Sequence, residues 1–177
     1  LNIFPQFKFY ERLKILNNMN QELKNKYDYK LILGLLIIDE TDNYDFFCYK
    51  YKTSNQIKEK FKNISKNFNN LKDKKFYTEK NIKKLIYYNG KDAIKDILLF
   101  SACANNKLKN FDIEKLLNYV NDCKIPKFPV SGDDLKRYGY KSGLELGKKL
   151  KTLESKWIDD NFFIDIKLLE KNLDKAN

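Results

Sequence analysis

Apolar residues recur along this chain at steps of three and four rather than two, the spacing that gathers them on one face of an α-helix. Phe7, Tyr10, Leu13, Leu16 and Met19 predict a first helix ending near Asn17 and Asn18. Leu31 to Ile38 is apolar on all sides, interrupted only by Gly34. Periodicity alone would allow a buried strand there, but the leucine content and an Asp28 placed to cap the first turn predict a buried helix. Thr41 to Asn43 reads as a polar loop. Thr53 and Gln56 fit a capping box opening a helix whose inward stripe is Ile57, Phe61, Ile64 and Phe68. Thr78 starts another, with Ile82, Leu85 and Ile86 inward and Asn89-Gly90 as a left-handed stop. Ala93, Ile94, Ile97, Leu98 and Ser101 face inward on the next, and Asp112 caps one bearing Ile113, Leu116, Leu117 and Val120.

Pro126 and Pro129 force Lys124 to Val130 to be extended or turned, which places a boundary between a helical body, residues 1–124, and a smaller tail, residues 125–177. In the tail Ser131 caps a short helix through Asp134, Leu135 and Lys136. A longer helix runs from about Gly143 to Ile158 with Leu146, Leu150, Leu153 and Trp157 inward. Asp165 caps a last one carrying Leu168, Leu169 and Leu173. The expected fold is all-α: a multi-helix body followed by a small helical tail domain, with no sheet.

Charge adds a partner class. The formal net charge is +11, from 35 basic and 24 acidic residues, and only Arg12 and Arg137 are arginines. A purely compositional lysine bias would scatter. Instead the stretch from Lys50 to Lys84 holds twelve lysines against Glu59, Asp73 and Glu79, and clustering of that kind favours a polyanion. Lys58, Lys62 and Lys66 share the outer face of the helix that follows Thr53, which makes them candidates for contact with such a polyanion; a merely solvated face is the plain alternative.

Other chemistry is excluded by what is missing. The chain has no histidine, which removes His-based acid–base catalysis, Ser-His triads and His-ligated metal sites. Cys48, Cys103 and Cys123 match no metal spacing, and their odd number suggests a reducing cytoplasm. Leu31 to Ile38 is far too short to cross a bilayer. Because the chain opens at Leu1 in mid-pattern and without Met, it reads as a piece of something longer.

The tail holds four of the six glycines: Gly132, Gly139, Gly143 and Gly147. Gly139 is a natural residue just past a short helix, and Gly143 stands where the next helix begins. Gly147 falls one turn inside that helix, where glycine costs about 1 kcal/mol against alanine. Either another helix or a nucleic-acid backbone comes too close there for a Cβ. A helix N-terminus with free N–H groups and nearby lysines suits phosphate. Lys141, Ser142 and Gly143 lie at that terminus, Lys148 and Lys149 about a turn on, and Lys136 and Arg137 on the preceding short helix. A close helix crossing with solvated lysines, or a helix-hairpin-helix DNA module, would produce a similar pattern.

From Phe128 to Phe162 the chain reads FPVSGDDLKRYGYKSGLELGKKLKTLESKWIDDNF, which resembles the C-terminal signature of bacterial tRNA nucleotidyltransferases (CCA-adding enzymes) and their poly(A) polymerase relatives. Pro129, Gly132, Asp134, Leu135, Gly139, Gly143, Gly147, Leu150, Leu153, Glu154 and Trp157 match that pattern in order and without a gap. YYNGKDAIKDILLFSACAN, from Tyr87, resembles a second family helix, with Gly90, Asp96 and Leu98 in place. KYDYKLILGLLI and YKYKTSNQIKEKF resemble two earlier ones. Where the family turn is often Pro-Gly-Pro, this chain has Ser142-Gly143-Leu144, and lysines largely replace the family's arginines, keeping point charge without bidentate forks.

The family's Gly-Gly-x-Val-Arg-Asp loop, its Asp-x-Asp strand and its Glu-Asp-x-x-Arg motif are absent. Asp133-Asp134 and Asp159-Asp160 are adjacent pairs rather than the alternate strand residues that two-metal chemistry uses. The resemblance therefore implies the body and tail domains, cytoplasmic, inactive alone and without a cofactor of their own. Mg2+ and CTP or ATP belong to a catalytic head domain of the same chain. The implied partner is tRNA or another structured RNA, held through phosphates, with no membrane. A non-catalytic helical interaction module and a helix-hairpin-helix-like DNA binder stand as alternatives.

Overall fold

A computed structural model describes residues 4–105 and 110–163, and among them the fold is all-α. The chain divides into two compact units, Leu1–Cys123 and Lys124–Asn177. The first unit contains helices α1 (Tyr10–Asn17), α2 (Gln21–Lys24), α3 (Tyr29–Ile37), α4 (Asn43–Lys50), α5 (Asn55–Asn67), α6 (Glu79–Asn89), α7 (Lys91–Ala104) and α8 (Asn110–Asp122). Two 3-10 segments, Phe68–Lys72 and Lys74–Tyr77, join α5 to α6. The second unit contains α9 (Gly132–Arg137) and α10 (Leu144–Asp159). The helix expected after Asp165 lies outside the described residues.

The first unit is organised around α7, which packs against α1, α3, α5, α6 and α8. Being central, α7 is buried on nearly every side: Ile94 and every residue from Ile97 to Cys103 are buried. Helix α3 is the other inner element, and its apolar run forms a helix because Asp28 accepts the Leu31 N–H at 2.7 Å, as the sequence predicts. Gly34 faces Phe61 of α5 so closely that a Cβ would lie 3.2 Å from the ring and 3.2 Å from Ile38 Cδ1. The glycine is thus what permits α3 and α5 to cross.

The C-terminal end of α3 leaves carbonyls that no further turn can satisfy, and the residues that carry them, Leu35 to Ile38, are buried. Each has a partner. Arg12 donates to Leu35 O at 2.9 Å and Ile38 O at 2.7 Å, the Lys8 N–H donates to Leu36 O at 2.9 Å, and Asn43 Nδ2 donates to Ile37 O at 2.7 Å. The Arg12 guanidinium lies 3.8 Å from the Phe9 ring centre, with Phe100 at 5.3 Å and Phe68 at 5.7 Å. Arg12 is the buried residue of α1, while Leu13 and Leu16 are half-buried and Met19, just past the helix, is buried. Five apolar residues at a constant step of three slip by about 60° each time on a 3.6-residue turn and cannot all point one way. Tyr10 is 55% exposed as a result.

Three other expectations shift. The N-cap of α5 is Ser54 rather than Thr53, and Gln56 accepts from Lys30 instead of reaching back to the cap. Asp112 lies within α8, whose first residue is Asn110. Gly90 ends α6 at φ 81° and ψ 163°, the positive φ expected of a glycine stop but with ψ beyond the left-handed helical value, and from there it also caps α7. Helix α4 has no legible apolar stripe and forms where Asn43 is tied to α3. Its neighbours Phe47 and Cys48 are buried, while Tyr49 is 83% exposed.

Candidate nucleic-acid interface

The glycine-rich turn is built from its flanking helices. Ser131 caps α9 by accepting the Asp134 N–H, while the Asp134 carboxylate accepts from the Ser131 N–H at 2.8 Å and hydroxyl at 2.6 Å. That reciprocal box holds the Asp134 carboxyl below the usual carboxylate range, with Arg137 adding a smaller pull. Helix α9 closes in a Schellman motif: the Tyr140 N–H reaches Leu135 O at 3.2 Å, the Gly139 N–H reaches Lys136 O at 3.0 Å, and Gly139 takes φ 88°. Leu135 and Leu153 form the buried centre of the unit, surrounded by Phe128, Val130, Tyr138, Tyr140, Leu146 and Leu150. Gly132 sits against Leu146, where a Cβ would make ordinary contact at 3.4 Å.

These contacts set the direction of the loop from Lys141 to Gly143, which is exposed throughout. Gly143 caps α10 without any side-chain hydrogen bond to the first turn. Gly147 lies one turn inside α10, and among the described residues nothing lies within 4 Å of the Cβ it lacks.

The predicted site residues fall into two groups. In the tail, Lys136 pairs with Asp133 at 2.9 Å and Arg137 with Asp134 at 3.6 Å, both exposed neighbours on α9. Pairs of this kind are worth about 0–1 kcal/mol and yield readily to a phosphate. Lys141, Lys148 and Lys149 have no ion pair among the described residues, and the Lys149 ammonium stands 5.8 Å from the Tyr140 ring centre. Lys149 thereby belongs to the side of α10 that carries the turn. Ser142 and Gly143 join them at the open helix start. Lys151 is exposed one turn after Lys148 on the same outer face; the i, i+3 spacing was readable in the sequence and was missed.

In the first unit, Lys58, Lys62 and Lys66 do share the outer part of α5, but two are engaged. Lys58 pairs with Asp45 at 3.0 Å and Lys62 with Glu59 at 3.4 Å. Their neighbour Lys60 turns inward and bridges Asp28 at 3.0 Å and Asp96 at 2.9 Å, linking α5 to the start of α3 and to α7. Burial pushes the Asp96 carboxyl up, against the pull of Lys60. Lys72 pairs with Glu40. The lysine-rich stretch is therefore partly neutralised by acids remote in sequence.

No described helix is long and apolar enough to cross a membrane. A protein-family profile described as tRNA nucleotidyltransferase domain 2 matches residues 22–170. A segment of 43 residues, 24% of this chain, is 49% identical to CCA tRNA nucleotidyltransferase 1, mitochondrial, of Danio rerio, and spans 10% of that protein. No solved structure matches the chain.

Proposed function

This chain belongs to the tRNA nucleotidyltransferase domain 2 family, and we infer that its role is to hold tRNA. Its two helical units grip the tRNA backbone so that a catalytic head domain, with Mg2+ and CTP or ATP, extends the 3′ end. Whether that head adds CCA or poly(A) is a property of the head. The observation that carries the reading is the open start of α10: an exposed turn and an uncrowded Gly147, with Lys141, Lys148 and Lys149 free of ion pairs among the described residues. Phosphate contacts position a nucleic acid without specifying sequence, and duplex RNA presents shape and 2′-hydroxyls more than readable base edges. Both suit an enzyme that accepts many tRNAs. Three buried, unbridged cysteines support a reducing compartment such as the cytoplasm.

The test is tRNA binding by this chain as a function of salt. If Lys136, Arg137, Lys141, Lys148 and Lys149 each meet one phosphate, the log–log slope is about −3.5 to −4.5, and affinity falls about a hundredfold or more between 50 and 200 mM salt. Reversing Lys148 and Lys149 together to Glu should flatten the slope by about two while leaving the helical circular dichroism unchanged. A salt-independent affinity rejects the grip. Equal competition by duplex DNA would favour the DNA-binding alternative.

A further inference from the structure

The first unit contains a cleft of about 430 Å³ between the 3-10 segment Lys74–Tyr77, the start of α6 and helix α8. It falls within the range of about 300–1,000 Å³ usual for small-molecule sites, and Lys72 and Lys74 of the lysine-rich stretch line it, though none of the candidate residues on α5 or in the tail does. Its apolar walls are Tyr77, Leu116 and Tyr119. Both rings are held in place by their hydroxyls: Tyr77 donates to Leu71 O at 2.8 Å, and Tyr119 donates to Glu79 O at 3.3 Å. Lys74 and Lys115 also line the cleft, are exposed, and have no ion pair among the described residues. Glu79 and Asp112 line it as well, so the cleft is not simply a basic patch.

We propose that this cleft receives one unpaired nucleotide of the bound RNA, its base against Tyr77 and Tyr119 and its phosphates at Lys74 and Lys115. The reading rests on the tRNA-holding role above. Each class of lining residue has a counterpart in a nucleotide. The base offers a π-face to a tyrosine wall, its amino groups donate to carboxylates, and its phosphate meets an ammonium. A bare polyanion would need no aromatic wall.

The experiment uses the whole chain and a short single-stranded RNA containing 2-aminopurine, whose fluorescence falls on stacking, beside intact tRNA and a blunt RNA duplex. Tyr119→Leu, and separately the pair Lys74→Glu with Lys115→Glu, should each weaken binding of the single-stranded probe about tenfold. Tyr119→Phe should keep it, and the blunt duplex should bind all variants alike. Circular dichroism checks that each variant is folded. Unchanged probe binding in both the leucine and the lysine variants, with tRNA still bound by the parent chain, overturns the cleft alone. Failure of the parent chain to bind tRNA overturns the holding role and the cleft with it. Full displacement of the probe by free AMP or CMP at equal affinity would show a mononucleotide site and likewise overturn the assignment to RNA.

Discussion

Replacing Arg12 with Met should be one of the most damaging single changes in the first unit, although Arg12 is not one of the candidate interface residues. Its side chain is 6% exposed and donates at 2.9 and 2.7 Å to the carbonyls of Leu35 and Ile38. Met fills a similar volume and keeps contact with Phe9, but it leaves two buried acceptors unpaired, at about 1–3 kcal/mol each. Stacking over Phe9 adds about 1 kcal/mol. Relief of the burial that pulls the Arg12 pKa down offsets part of the loss, leaving a net destabilisation of about 3 kcal/mol. In a chain of this length that lowers Tm by roughly 10 °C, readable by thermal melting followed at the helical circular dichroism band. Arg12→Lys retains the charge but not the planar fork that spans two carbonyls, so it should recover less than half of the loss. A change below about 1 kcal/mol for Met, or full recovery with Lys, would refute the claim that the guanidinium fork holds the end of α3.

Two glycine-to-alanine changes should move in opposite directions. Gly147→Ala should stabilise by about 0.5–1 kcal/mol in urea unfolding, since the helix gains a Cβ that meets nothing described. It should at the same time weaken tRNA binding; a stabilised variant with unchanged binding would remove the reason for a glycine there. Gly34→Ala should destabilise by about 1–3 kcal/mol, because its Cβ would press on Phe61 and Ile38 at 3.2 Å. For Asp39, burial pushes the carboxyl up, but the Thr41 hydroxyl and N–H together with Lys8 outweigh it and hold the carboxyl below its ordinary value. A depressed folded value contributes stability above the unfolded pKa of about 3.9 and loses it as pH falls through the folded one. The Tm gap between the parent and Asp39→Asn should therefore be constant from pH 7 to 5 and shrink below pH 4; a gap that widens in acid contradicts this.

The amino-acid order by itself determined the all-helical class, because apolar residues at steps of three and four admit little else. It also determined the caps at Asp28, Thr78 and Ser131, and the turn at Gly139, since each depends on atoms three to five residues apart. The lysines and glycines of the tail were legible for the same reason: the turn is made of near neighbours. Arg12 was not legible, because the carbonyls it serves lie 23 and 26 residues away and only the packing of α1 on α3 brings them together. Nor was the balance of the lysine-rich stretch. Lys60 meets Asp28 and Asp96 at separations of 32 and 36 residues, and Coulomb attraction acts across the distance the fold creates, not the one along the chain. Which positive charges remain available to a polyanion was decided by the tertiary structure alone.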